Sequence, residues 1–122
     1  MTYLFRILEK IKKRYGVYLG YKSLYKLADF MVGFECAIYE LTSVNIDFNS
    51  KFQIFIENRT KTTYTGKHWS DIISESKSQE EAFDLFFIYL DEFKKIVNVS
   101  NIFNDMYEEN MSNVKSWFND EN

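Results

Sequence analysis

Apolar positions recur along most of this chain at spacings of three and four residues, the signature of helices that bury one stripe. From Tyr3 to Tyr15, the side chains of Leu4, Ile7, Leu8, Ile11 and Tyr15 share a face. Lys10, Lys12, Lys13 and Arg14 crowd the far end, where cations meet the exposed carbonyls of a helix C-terminus. Gly16 and Gly20 then bracket Val17, Tyr18 and Leu19, which predicts a turn that lays a small apolar plug on the core. Ser23 offers an N-cap hydroxyl for a second helix to about Thr42, with Leu24, Leu27, Met31, Phe34, Ile38 and Leu41 as its stripe. Gly33 inside that helix costs about 1 kcal/mol relative to Ala, which predicts the close approach of another helix there.

Ser43 to Asn49 reads as a connector, and Ser50 with Gln53 fits a capping box that would start a third helix. Phe52, Phe55, Ile56 and Arg59 mark its expected buried side, and the Thr-rich run from Thr60 to Gly66 should stop it. Trp69, Ile72 and Ile73 predict a short fourth helix that turns Asp71 and Glu75 outward. A second capping box, Ser78 with Glu81, precedes the most apolar stretch, Ala82 to Val97. There Phe83, Phe86, Phe87, Leu90, Phe93 and Val97 form a stripe that Leu85 and Ile88 broaden, so this helix should be contacted from more than one side. Beyond Asn98, Phe103, Met106, Tyr107, Asn110, Val114, Trp117 and Phe118 keep helical intervals, opposite Asp105, Glu108, Glu109 and Ser112. With no proline, repeat or low-complexity run to divide it, the chain is expected to be one all-α domain over residues 1–122. The expected architecture is a compact bundle of about five to six helices, with 98–122 as an acidic C-terminal helical extension.

Composition sharpens this picture. Hydrophobic residues make up 46% of the 122 positions, and 12 Phe and 9 Tyr mean that the core must be built largely from rings. No run of about 18 apolar residues is present, and the first residues already mix charge with helical apolar spacing, so neither a membrane span nor a signal peptide is expected. The single cysteine, Cys36, excludes an internal disulfide and reads as a small core residue in a reducing, cytoplasmic compartment. The net charge of −3 is unevenly spread: residues 1–26 set seven Lys or Arg against Glu9 alone, and residues 27–122 set eight against seventeen Asp or Glu. An acidic remainder favours encounter with a basic partner and disfavours phosphate backbones.

Catalytic groups are scarce. One His and one Cys thirty-two positions apart supply no metal-ligand pattern, and no glycine-rich phosphate loop is present, so neither metal nor cofactor is expected. His68 has Ser70 and Asp71 nearby, but neighbours two and three apart do not make a triad by default, and a loop or cap role is expected instead. No enzyme is read here. Candidate partner-binding residues are the outward carboxylates Asp71, Glu75, Asp84, Asp91 and Glu108, with Tyr64 and Tyr107 as anchors because tyrosine is enriched at binding hot spots. The alternative is a nucleic-acid adaptor. Lys10, Lys12, Lys13, Arg14, Lys22 and Lys26 interleaved with Tyr15, Tyr18, Tyr21 and Tyr25 give the basic and aromatic mixture that grips single strands.

Several of these segments together resemble a family. Arg14-Tyr15-Gly16-Val17-Tyr18-Leu19-Gly20, Ser23-Leu24, Leu27, Phe30 and Gly33-Phe34 are followed by His68-Trp69-Ser70-Asp71-Ile72-Ile73 and Glu80-Glu81-Ala82-Phe83-Asp84-Leu85-Phe86-Phe87. This set, within residues 3–96, resembles the small bacterial immunity proteins encoded beside polymorphic toxins, including contact-dependent growth inhibition toxins. The family's first motif reads Arg-Pro-Gly-Met-Tyr-Leu-Gly; here Tyr15 stands for the Pro and Val17 for the Met, so the ring that would stiffen the turn is missing. The resemblance implies a cytosolic protein that neutralises a cognate toxin, commonly a nuclease, by non-covalent binding. It transfers no binding residue, because such proteins diversify their interfaces with their targets.

Overall fold

The computed structural model describes residues 2–62 and 66–97, and over these the fold is all-α. Its elements are α1 (Thr2–Lys13), α2 (Tyr15–Leu19), α3 (Leu24–Thr42), α4 (Phe48–Thr60), α5 (Trp69–Ser74) and α6 (Gln79–Ile96). The segment 98–122, expected as a last helix, lies outside the described residues.

One core joins these elements. Leu4, Leu8 and Ile11 of α1 and Leu24, Leu27, Met31 and Ile38 of α3 pack with the rings of α4, α5 and α6. Phe48, Phe52, Trp69, Phe83, Phe86 and Phe93 are all buried. Phe52 is the centre of this cluster: its centroid is 5.1 Å from Trp69, 5.4 Å from Phe86 and 5.3 Å from Phe93. Side-chain contacts place α1 alongside α6 with opposite sense. Lys94 lies over Phe5 and 3.9 Å from Glu9, while further along α1 Lys12 lies over Phe87.

Several local readings need correction. Val17, Tyr18 and Leu19 do not form an apolar plug in a turn; they belong to the five-residue α2, and only Leu19 is buried while Val17 is 77% exposed. Gly33 meets no neighbour, since a Cβ there would find nothing within 4 Å, so it marks no helix crossing. Cys36 is exposed, because it falls on the outer side of α3 between the stripe positions Phe34 and Ile38. Leu41 and Ile88 are likewise exposed, and Arg59 reaches outward to Glu92 at 2.9 Å.

The start of α4 differs most instructively. The helix begins at Phe48, and the residues before it are more than a connector: Val44, Ile46 and Phe48 are buried at alternate positions. Asn45 Oδ1 accepts the Asp47 N–H, an Asx turn, and Asp47 takes a left-handed conformation (φ 55°) that redirects the chain into the helix. Burying the Phe48 ring therefore fixes the entry, and Ser50 sits inside the helix with no capping task. Gln53, expected in that box, instead faces α5. Its Oε1 accepts the Trp69 N–H at 2.7 Å, and its Nε2 donates to the Lys67 carbonyl at 2.8 Å. The remaining caps agree with the sequence: Ser23 accepts from Lys26 N–H, and Ser78 accepts from Glu81 N–H at 3.1 Å.

This difference is measurable by urea unfolding. Gln53→Ala strands a donor at the start of α5 and should cost about 1–3 kcal/mol. Ser50→Ala should change stability by no more than about 0.5 kcal/mol. A Ser50→Ala loss equal to that of Gln53→Ala would restore the capping box and refute this account of α4.

Candidate functional site

The outward carboxylates named from the sequence lie on two elements that the aromatic core anchors. α5 is only six residues long, too short to persist alone, and it is held by the buried Trp69 ring and by its cap. Asp71 leaves its first turn and Glu75 its C-terminal end, and both are exposed. Asp84 and Asp91 stand seven residues apart on α6, hence on one face two turns apart, and are exposed together with the intervening Ile88. Glu80 and Glu81 add charge at the helix start, where the macrodipole favours anions. Tyr64, Tyr107 and Glu108 lie outside the described residues, as do Asp105 and Glu109, so part of the acidic excess of the sequence is not placed.

Two of the four described carboxylates are held in position by α3 and the residues before it. Asp71 Oδ1 accepts the Tyr25 hydroxyl at 2.7 Å, a hydrogen bond that raises the tyrosine's pKa, with desolvation adding to it. Both Asp84 oxygens lie 2.9 Å from Lys22 Nζ, and this hydrogen bond raises the ammonium's pKa against some desolvation. Gln79 sets the register between these pairs. Its Oε1 accepts from Tyr25 N–H at 2.8 Å and from Ser23 Oγ at 3.2 Å, and its Nε2 donates to Ser74 Oγ at 3.0 Å. One amide thus ties the start of α3 to the end of α5 and the start of α6. Sequence reasoning missed Lys22, Tyr25 and Gln79 in this role, because nothing in spacing reports contacts between residues some fifty positions apart.

The basic end forms a second surface. Lys10, Lys13, Arg14 and Tyr18 line a recess of about 330 Å³, and none of the three cations has an acidic partner among the described residues. Tyr18 is 36% exposed there, and Tyr21 and Tyr25 are exposed near the start of α3, with Lys26 Nζ 5.4 Å from the Tyr21 ring centre.

His68 takes the cap role expected of it. Its Nδ1 accepts the Ser70 N–H, which is a donor only, so the Ser70 hydroxyl 2.7 Å away donates to the same nitrogen. Burial, chiefly, lowers the imidazole's pKa, with Asp71 opposing. The pair has the distance of a nucleophile and its base, but Ser70 is only 5% exposed. Among the described residues no group of three or more His, Cys, Asp or Glu side chains could hold a metal, and no helix is long and apolar enough to cross a membrane.

Among the described residues, Glu35 is the one half-buried carboxylate with an oxygen left unpaired. Oε2 accepts from Asn49 Nδ2 at 2.7 Å, and Asn49 Oδ1 in turn accepts from Trp69 Nε1 at 3.1 Å, while Oε1 is buried without a partner. Desolvation raises its pKa, and the Asn49 hydrogen bond opposes that rise. The folded protein therefore binds a proton that the unfolded chain has released above 4.5, and stability falls as pH rises from there through the raised value. Glu35→Gln keeps the acceptor for Asn49 and removes the buried charge. It should raise Tm at neutral pH, with the gain vanishing at acidic pH, where the carboxyl is protonated in both states. An equal gain at both pH values would contradict this origin.

No family model matches the chain, and comparison with curated proteins and with solved structures gives no match.

Proposed function

We propose that this chain is a binding protein without chemistry of its own that neutralises a toxin, as the immunity proteins it resembles do, by presenting the carboxylates of α5 and α6 to a basic partner. The supporting observation is that Asp71, Glu75, Asp84 and Asp91 are all exposed on two elements anchored by one aromatic core. Asp71 and Asp84 are already oriented by Tyr25 and Lys22, so less conformational freedom is lost when a partner docks. A nuclease is the toxin class that suits this surface best, because a cleft built to receive phosphates also attracts carboxylates.

Charge reversal tests it. Asp71, Glu75, Asp84 and Asp91, each changed singly to Lys, should weaken binding to the product of a neighbouring toxin gene by at least about tenfold, or roughly 1.4 kcal/mol. Glu75→Lys and Asp91→Lys are the cleaner probes, since Asp84→Lys also sets two ammonium groups together at Lys22. Calorimetric affinity and protection of co-expressing cells give the readouts. Full protection by all four folded variants would sink the interface.

The recess at the end of α1 favours a second reading, a nucleic-acid adaptor, because its cations are unpaired by acids and the part-exposed Tyr18 lines it with them. Single-stranded RNA or DNA should then bind with an affinity that falls steeply with salt. Neutralising Lys10, Lys13 and Arg14 should lower the log–log slope by about 0.7 for each phosphate no longer engaged. Absence of binding at low salt removes this reading.

A further inference from the structure

α3 has an outer face that no described part of the chain covers. Lys26, Asp29, Gly33, Cys36 and Glu40 follow one another at spacings of three and four, Ala37 stands one turn beyond Gly33, and all six are exposed. A Cβ on Gly33 would meet nothing within 4 Å, so this helix carries a glycine, its least favourable residue after proline, with no packing gain from the described chain. Gly33 is also the middle residue of the 19 that form α3, a helix about 28 Å long. The small side chains of Gly33, Cys36 and Ala37 leave room for a second backbone to come close at that midpoint. Exposed Tyr25, Val32 and Tyr39 border the strip on one side and exposed Leu41 on the other.

The charges on this face point to its occupant. Lys26 lies seven positions before Gly33 and Glu40 seven after, so the three share one line along the helix. Neither Lys26 nor Glu40 has an ion-pair partner among the described residues. Two-fold symmetry brings one residue onto another only if it brings the second onto the first. An antiparallel pair of α3 helices centred on Gly33 therefore sets Lys26 against the partner's Glu40 and Glu40 against the partner's Lys26. A parallel pair in register would oppose like charges at both ends. We propose that this face is a self-association surface: two copies of the chain pair through α3, antiparallel about a two-fold axis at Gly33, with close backbone approach at the glycine and an ion pair on either side of it.

One helix face is small for a stable interface, so the pair should form at micromolar concentration. Sedimentation velocity of the full-length protein across about 1–300 µM should show monomer passing to dimer, and monomer throughout overturns the proposal. Gly33→Gln separates folding from pairing. It should hold or raise the unfolding midpoint of the dilute protein, because no neighbour within the chain is displaced, and should weaken the dimer at least about tenfold. Undiminished dimerisation of that variant would put the contact elsewhere and overturns the proposal. Lys26→Glu and Glu40→Lys, both at exposed sites that leave the helical circular dichroism unchanged, should each weaken self-association. An equimolar mixture of these two variants should pair at least as tightly as the native chain, because both contacts then join opposite charges. Native affinity in either single variant, or a mixture no tighter than the variants alone, excludes the antiparallel pairing and overturns it.

Discussion

Phe52 meets rings from two other helices at once, stacked at 5.0 Å on Phe48 and edge-on to Trp69 and Phe93. Aromatic pairs at such distances contribute about 0.5–1.5 kcal/mol each beyond their buried area, and they do so only in a few orientations. The cluster therefore sets direction as well as cohesion: α4 cannot rotate without separating its rings from α5 and α6 together. α5 depends on it most. Six residues cannot sustain a helix in water, so its position, and with it that of Asp71 and Glu75, is a consequence of where Trp69 must lie.

Around this centre, three side-chain amides satisfy the polar groups that helix ends leave over. Gln53 serves the start of α5, Asn49 receives the Trp69 indole, and Gln79 joins α3, α5 and α6. Each spans elements that hydrophobic packing alone would leave free to slide, and each would expose an unpaired group if the helices moved by a fraction of a turn. Glu35 is where the satisfaction is incomplete, with one oxygen buried and unmatched. The protein tolerates this because the other oxygen supports Asn49, which in turn holds the core tryptophan.

Helical periodicity made the long elements legible. The stripes of α1, α3 and α6 follow from spacing, and the caps at Ser23 and Ser78 from chemistry that is local to a few residues. Failures arose where a distant contact overruled a local motif. Ser50 and Gln53 have the form of a capping box, yet the free N–H of Trp69 competes for the Gln53 amide, and Phe48 starts the helix earlier by entering the core. Residue type predicts packing duties for Cys36 and Gly33, whereas their angular positions on α3 put both outside. The exposure of the four described carboxylates was legible as the reverse side of the apolar stripes. Their tethering by Tyr25 and Lys22 was not, because it depends on how α3 is placed against α5 and α6.

Charge on the described surface is arranged in two fields of opposite sign. Lys10, Lys13 and Arg14 crowd the end of α1, Asp71 and Glu75 stand on α5 and Asp91 on α6, and the Lys22–Asp84 pair stands where α6 meets the chain entering α3. A Debye length of about 8 Å at physiological salt keeps each field local, so a partner feels mainly the patch that it approaches. A basic partner would be attracted by the carboxylates of α5 and α6 and repelled by the cations at the end of α1, next to which Tyr15 of α2 packs on that same α6 through Phe83. Phosphate chains would experience the opposite bias. A partner of either class must complement the shape of its patch as well as its sign, since field alone sets the rate of encounter more than the final affinity.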